Sequence, residues 1–300
     1  MAQNYDLIVI GEGISGLTCA SQAVRAGLKV ATLESTLFGG LVLNVNELNG
    51  YPGAESGTDL ASGLMQASSE AGVTSIQEEV TAIRSAGAAF QVVTSAGTYG
   101  ARQVVIASGA HLKKLGIPGE DEFEGRGVSH CADCDAPMYM NEEAIVVGGG
   151  DSAMQEALVL AKFCSKVRVV HRGEKLRARK HLADEAGANP KISIMWKSTV
   201  EAVLGSKMVE KVRIRDAGGK TEDVACAGIF AYIGLEPNAG FAPPEIGRDA
   251  RGHLVTNEAF ETPVKGIWAI GAVRAGYSGL LRDATVEAQR VAEAVRKRLD

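Results

Sequence analysis

Residues 6–16 read DLIVIGEGISG, a short apolar strand running straight into a glycine turn. Gly11, Gly13 and Gly16 stand in the G-x-G-x-x-G spacing. The helix LTCASQAVRAG follows and closes on Gly27, and the next strand, LKVATLE, ends on Glu34. Each part has a mechanical role. Gly11 permits the tight turn, Gly13 lets backbone approach a pyrophosphate, and Gly16 lets the helix lie close on the strand. The helix N-terminus offers free N–H groups and partial positive charge to phosphates. An acid about 20 residues past the turn, here Glu34, suits the hydroxyls of an unphosphorylated ribose such as that of FAD or NAD. A lone glycine fingerprint is weak, but strand, fingerprint, helix and acid together predict a dinucleotide-binding unit.

The device recurs. In AIVVGGGDSAMQEALVLAKF (144–163) a strand enters the turn Gly148–Gly150, and a helix begins with Asp151, Ser152 and Ala153, the alanine standing for the third glycine. The following strand, KVRVVHR (166–172), ends in His171-Arg172 with no acid. Without a carboxylate to repel it, a 2′-phosphate can be clasped by Arg172 and Arg177 through charge-assisted bonds. The second site therefore suits NADPH, with NADH as the alternative.

Between the two units, VVIASGAHLKKLGIPGE (104–120) carries a strand, a turn at Gly109 and a Gly-Pro crossover at 116–119, a candidate domain boundary. Residues 79–84, 90–94 and 98–106 read as short strands of a small antiparallel insert. Near the end, GIWAIGAV (266–273) is another strand entering a glycine turn. The last helix, RDATVEAQRVAEAVRKRL, gathers basic residues near its C-terminus, where they suit the helix dipole. Such a strand, turn and helix can return to complete the first sheet.

Composition sets outer limits. Three hundred residues, 46% apolar and 22% charged, are those of a globular chain with about two domains. A net charge of −5 argues against nucleic acid or an anionic membrane as the main partner. No apolar run approaches the roughly 18 residues of a membrane span. The opening MAQNYDLIVIGEG lacks the basic start of an export signal, and five cysteines are sparse for a disulfide-stapled secreted protein. A cytoplasmic protein is expected.

The order of these pieces resembles the low-molecular-weight thioredoxin reductase family. The carrying residues are GEGISG, the Gly39-Gly40 pair with NGYPG (49–53), ASG…LGIPGE, GRGVSHCADCD (125–135), VVGGGDSAMQEAL, VHRGEKLRA, FAYIGLEPN (230–238), and GIWAIGAV with the later RDA. The resemblance implies an α/β protein of two Rossmann-like, three-layer domains. An FAD-binding domain, 1–112 and 243–300, would receive an inserted nicotinamide domain, 113–242. Beyond the fingerprint residues, it implies flavin contacts at Gly40, Leu41, Asn44, Val80, Gly109, Gly271, Ala272, Arg282, Asp283 and Ala284. On the nicotinamide side it adds Ile233. Domain rotation, with hinges near 113–117 and 241–244, and a homodimer are also implied. The chain departs from the family pattern at Leu41, Gly50, Gly173 and Ala272, the last replacing an aspartate, and its RDA arrives three residues late.

The pair in HCADCD (130–135) is then best read as redox-active. Zinc needs four ligands, and Cys19, Cys164 and Cys226 are isolated, so no metal is expected. A staple across two residues would constrain almost nothing. A cycling dithiol needs an electron supply, which two dinucleotide sites provide. By resemblance, NADPH reduces FAD, Cys134 faces the flavin, Cys131 attacks the partner's disulfide, and Asp135 protonates the released thiolate. The partner would be thioredoxin or another small disulfide protein. Competing readings are an oxygen-using dithiol oxidase, a ferredoxin or flavodoxin reductase, and a redox-sensing binding module.

Overall fold

The structure is a computed structural model that describes residues 3–45, 47–48 and 51–300; Asn49 and Gly50 of the NGYPG stretch lie outside the described residues. The chain opens with β1 (Asn4–Ile10), α1 (Ile14–Arg25), β2 (Val30–Leu33), a 3-10 turn at Gly40–Asn44 and α2 (Gly57–Ala71). Next come β3 (Thr74–Ile76), β4 (Val80–Ala86), β5 (Ala89–Thr94), β6 (Thr98–Ile106) and the short β7 (Ala110–Leu112). The middle of the chain forms β8 (Val128–Ser129), α3 (Ala132–Asp135), β9 (Glu143–Gly148), α4 (Asp151–Phe163), β10 (Lys166–His171), α5 (Lys180–Ala188) and β11 (Ile192–Trp196). Three antiparallel strands follow, β12 (Thr199–Gly205), β13 (Val209–Arg215) and β14 (Thr221–Ala225), then β15 (Gly228–Tyr232) and β16 (Leu235–Pro237). The chain closes with β17 (Ile267–Ala269) and α6 (Leu281–Leu299).

Two compact units result, one ending at His111 and resuming at Glu236, the other spanning Leu112–Leu235. In the first, the sheet runs β3-β2-β1-β6-β5-β4, with β17 beside the end of β6. Its central strands are continuous apolar runs because both faces are covered. Leu7, Val9 and Val105 face α1 and α6, meeting Cys19, Ala20, Ala23, Val291 and Val295. Ile8, Ile10, Val104 and Ile106 face the other way, onto Val92, Ala239, Ala242, Ile246 and Leu254. The chain's end does complete this sheet, Ile267–Ala269 pairing parallel with Val104–Ile106.

Two expectations change. Residues 98–106 belong only in part to the small antiparallel insert. The first half of β6 pairs antiparallel with β5, while Val104–Ile106 lie parallel between β1 and β17, fully buried. The return to the first unit falls at Glu236 rather than 243, because Ala239 and Ala242 already belong to that unit's core.

The second unit has its own parallel sheet, β11-β10-β9-β15-β8. One face packs Val146, Val169 and Phe230 against Met154, Ala157 and Leu160 of α4. The other packs Ile145, Val147, Val170 and Ile229 against Val203, Val212 and Ile214 of the antiparallel strands. Helices, parallel sheet and antiparallel sheet make three layers. Phe230 lies fully buried at the centre, edge-to-face with Tyr139. Phe230→Ala is expected to lower unfolding free energy by about 3–5 kcal/mol, transfer and cavity costs together, in urea melts of the protein.

Candidate active site

In the first unit, the glycine turn is built so that only glycine fits. Gly11 has φ +105°, and a β-carbon there would lie 2.4 Å from the Ala107 carbonyl oxygen. At Gly16 it would lie 1.9 Å from the Gly11 oxygen, so strand and helix approach to backbone contact. Gly13, by contrast, has nothing nearer than the Gly39 oxygen at 3.7 Å. It is the N-cap of α1, and no side chain caps that end, so the helix presents N–H groups to an incoming anion. Glu34 accepts bonds from the Glu12 N–H (2.9 Å), the Ser35 N–H (2.9 Å) and the Thr36 N–H (3.1 Å), which fixes its carboxylate at the end of β2. Glu12, unremarked in the fingerprint, is buried and turned away from the turn. One of its oxygens accepts from the Thr32 and Ser75 hydroxyls at 2.5 and 2.6 Å.

The remaining flavin-side candidates sit unevenly. Gly40 starts the 3-10 turn that carries half-buried Leu41 and Asn44. Val80 opens β4 opposite Thr94, with its side chain in the core. Gly109 has φ +65° and open space around it. Ala284 is buried against Ile14 and Val42, whereas Arg282 is exposed beside Asp283, whose carboxylate accepts from the Ser278 hydroxyl at 2.6 Å. At Gly271 a β-carbon would meet the Ser15 hydroxyl at 2.5 Å. Ala272 brings no carboxylate to this turn, but α6 does. Glu287 accepts the Gly271 N–H at 2.9 Å and pairs with Arg274, both side chains largely buried.

The second glycine turn follows the same rules with different furniture. Gly148 has φ +152°, and a β-carbon there would lie 2.5 Å from the Tyr232 oxygen. Gly150 caps α4 with open space around it and no side-chain cap. Asp151 is not free: it accepts the Arg179 N–H and Nε, each at 2.7 Å, and these bonds hold its carboxyl below the usual range. Ser152 is exposed and Ala153 buried. Arg172 and Arg177 are exposed and form no ion pair among the described residues, while the Arg177 N–H anchors its loop to the Gly149 oxygen at 2.7 Å. Ile233 is half-buried against the Val147 cluster. His171, also expected on the nicotinamide side, lies beneath this turn. Its ring is buried under Gly149, where a β-carbon would strike it at 2.3 Å, and its Nε2 meets the Lys175 oxygen at 2.9 Å. The imidazole supports the turn from inside.

Cys131 and Cys134 are joined as a disulfide with Cα atoms 5.3 Å apart. Cys131 caps the single helical turn α3 and accepts the Cys134 N–H at 3.2 Å. Cys134 is exposed and Cys131 half-buried. Ser129 organises the approach: its hydroxyl donates to Asp135 Oδ2 at 2.6 Å and accepts the Cys131 N–H at 3.2 Å. His130 leans on Glu124 at 3.2 Å, with its Nδ1 buried and unpartnered. The other three cysteines are buried, and burial pushes Cys19 and Cys226 up to about 12 and Cys164 to about 11. Only the 131–134 pair is chemically available.

The profile of the pyridine nucleotide-disulphide oxidoreductases matches residues 5–296. A thioredoxin reductase of Treponema pallidum is 38% identical across 100% of this chain and 99% of its own. The chain belongs to the low-molecular-weight thioredoxin reductase family. Two solved thioredoxin reductases match it in three dimensions. That of Lactococcus lactis, in its FR conformation, has a TM-score of 0.90 at 34% identity over 98% of both chains. That of T. acidophilum has a TM-score of 0.89 at 26% identity over 99% of both. The two uncapped glycine turns fit the cofactor chemistry of such a reductase.

Motif reading missed Ser129, Glu156, Tyr232, Arg274 and Glu287. Glu156 was discoverable, because it falls on the face of α4 shared by Ala153 and Leu160, where an acid is out of place. Tyr232 and Glu287 read as ordinary core and surface positions until the fold brings them to Glu156 and Arg274. Glu287→Ala in this reductase should cost about 3–5 kcal/mol in urea melts, since Arg274 would remain buried without its counter-ion. Replacing both, Glu287→Ala with Arg274→Met, should recover part of that loss.

Proposed function

We propose that the protein is an NADPH-dependent, FAD-containing reductase that passes electrons to its Cys131–Cys134 disulfide and on to thioredoxin or a similar small dithiol protein in the cytoplasm. The observation that carries this reading is the disulfide itself, closed within one partly exposed turn of a unit that also holds a glycine turn and two unpaired arginines. FAD would be held in the first unit by the α1 N-terminus, Gly11, Gly13 and Glu34, together with the loops at Gly40–Asn44 and Gly271–Ala272. NADPH would be held in the second unit by the α4 N-terminus, with Arg172 and Arg177 on the 2′-phosphate. Bound, the two cofactors supply the hydride chemistry that brings an electron pair to the disulfide.

The protein's own groups handle sulfur and proton. Cys131 attacks the partner's disulfide, since its sulfur becomes the nucleophile once the pair is open. Asp135, fixed by Ser129, returns a proton to the Cys134 sulfur. Three buried, inert cysteines and one cycling pair suit a reducing compartment.

Cys131→Ser or Cys134→Ser should abolish disulfide reduction while the yellow protein still bleaches with anaerobic NADPH. Cys134→Ser should trap the partner as a mixed disulfide through Cys131, and trapping by Cys131→Ser instead would reverse the assigned order. Turnover that survives both changes would sink the reading in favour of a ferredoxin- or flavodoxin-type reductase. Replacing Arg172 and Arg177 by alanine should raise the KM for NADPH by about 10- to 100-fold, the value of a charge-assisted bond of about 1.5–3 kcal/mol, and leave that for NADH nearly unmoved.

A further inference from the structure

Behind the redox turn stands a second carboxyl that the reductase reading does not use. The N–H of Ala132, the residue between Cys131 and the rest of α3, points at Glu156 Oε2 (3.1 Å) and at the Tyr232 hydroxyl (3.2 Å). Glu156 comes from α4 and Tyr232 from the end of β15, so two elements converge on one N–H of α3. The first N–H groups of a turn are what stabilise a thiolate at its cap. Here Ala132's donor is already taken by a carboxyl group, and Cys131 receives only the Cys134 N–H. A charged Glu156 therefore opposes a thiolate at Cys131, and a neutral one tolerates it.

We propose that Glu156, backed by Tyr232, is a positioning residue that couples a proton to the opening of the Cys131–Cys134 disulfide. The inference rests on the disulfide reductase reading above. Starting from the Glu156 carboxylate, the disulfide takes two electrons from the nicotinamide–flavin supply and two protons from solvent. The S–S bond breaks, Cys134 leaves as a thiol, Cys131 as a thiolate, and the second proton rests on Glu156. When Cys131 then attacks a partner's disulfide, no proton need first be removed from its sulfur.

The surroundings agree. Burial, and then the nearby charge of Asp133, raise the Glu156 carboxyl to about 7, so a small change in charge next door decides its state. Burial and the same Glu156 also push the Tyr232 phenol upward, keeping it a neutral donor. The groups facing Glu156 are Asp133 on the redox turn and Tyr232 on β15, while Tyr139, on the short turn that also packs on α4, lies nearer Asp135. Those flanking Cys131 are His130 with Glu124, and Asp135 with Ser129.

The test is the pH profile of Cys131 alkylation by iodoacetamide in the reduced, FAD-loaded Cys134→Ser protein, where the other cysteines are buried. The profile should show an inflection near the Glu156 range in addition to that of the thiol. With Glu156→Gln added, the inflection should vanish and the rate at pH 8 should rise about tenfold, the effect of about one unit in the thiol's ionisation, while the rate near pH 5.5 stays unchanged. Loss of mere structural support would instead move the rate equally at every pH. Should Glu156→Gln not fold, Tyr232→Phe serves, since losing the hydroxyl should move the inflection to higher pH. An unmoved profile in the folded variants overturns the proposal. Wild-type NADPH-dependent disulfide reduction, measured alongside, reports on the reductase reading separately.

Discussion

Backbone meets backbone where α1 crosses β1, and that contact governs what the first unit can do. A β-carbon at Gly16 would sit 1.9 Å from the Gly11 oxygen, and one at Gly11 would sit 2.4 Å from the Ala107 oxygen. The helix end is thereby drawn down to the sheet and left without a side-chain cap. A helix N-terminus without a side-chain cap suits an anion. The second unit repeats the arrangement with Gly148 against Tyr232, and the two turns have different surroundings. Near the first turn the Glu34 carboxylate is held at the end of β2, and beyond the second Arg172 and Arg177 are exposed.

The fold was legible because these constraints are local. A strand, a glycine turn and a helix occupy some twenty consecutive residues, and glycine's conformational freedom leaves a visible mark. The return of the last strand to the first sheet was readable for a similar reason, since GIWAIGAV repeats the strand-to-turn pattern. Less legible were the boundaries. Ala239 and Ala242 look like linker but belong to a core, and β6 serves both hairpin and main sheet because its two halves have different neighbours.

The site divides in the same way. Cysteines in C-x-x-C announce themselves, and so does an acid one ribose away from a phosphate. Residues that act through the third dimension do not. His171 stands where a ligand contact is expected, yet its ring fills the space under Gly149. Glu287 reaches the Gly271 N–H from a helix, and nothing in its neighbours along the chain marks it. Glu156 and Tyr232, 76 positions apart in sequence, share one N–H of the redox turn. Such pairings depend on strand order, which no local pattern encodes.

All of this converges on one claim, that electrons from a nicotinamide reach the sulfurs at 131 and 134 and no others in the chain. Direct mapping decides it: reduce the yellow protein anaerobically with a small excess of NADPH, quench with iodoacetamide, and locate the label by peptide mass spectrometry. Label on Cys131 and Cys134, with Cys19, Cys164 and Cys226 unmodified, is the predicted result. NADPH consumed and flavin bleached, with both redox-turn cysteines still joined, would contradict the account.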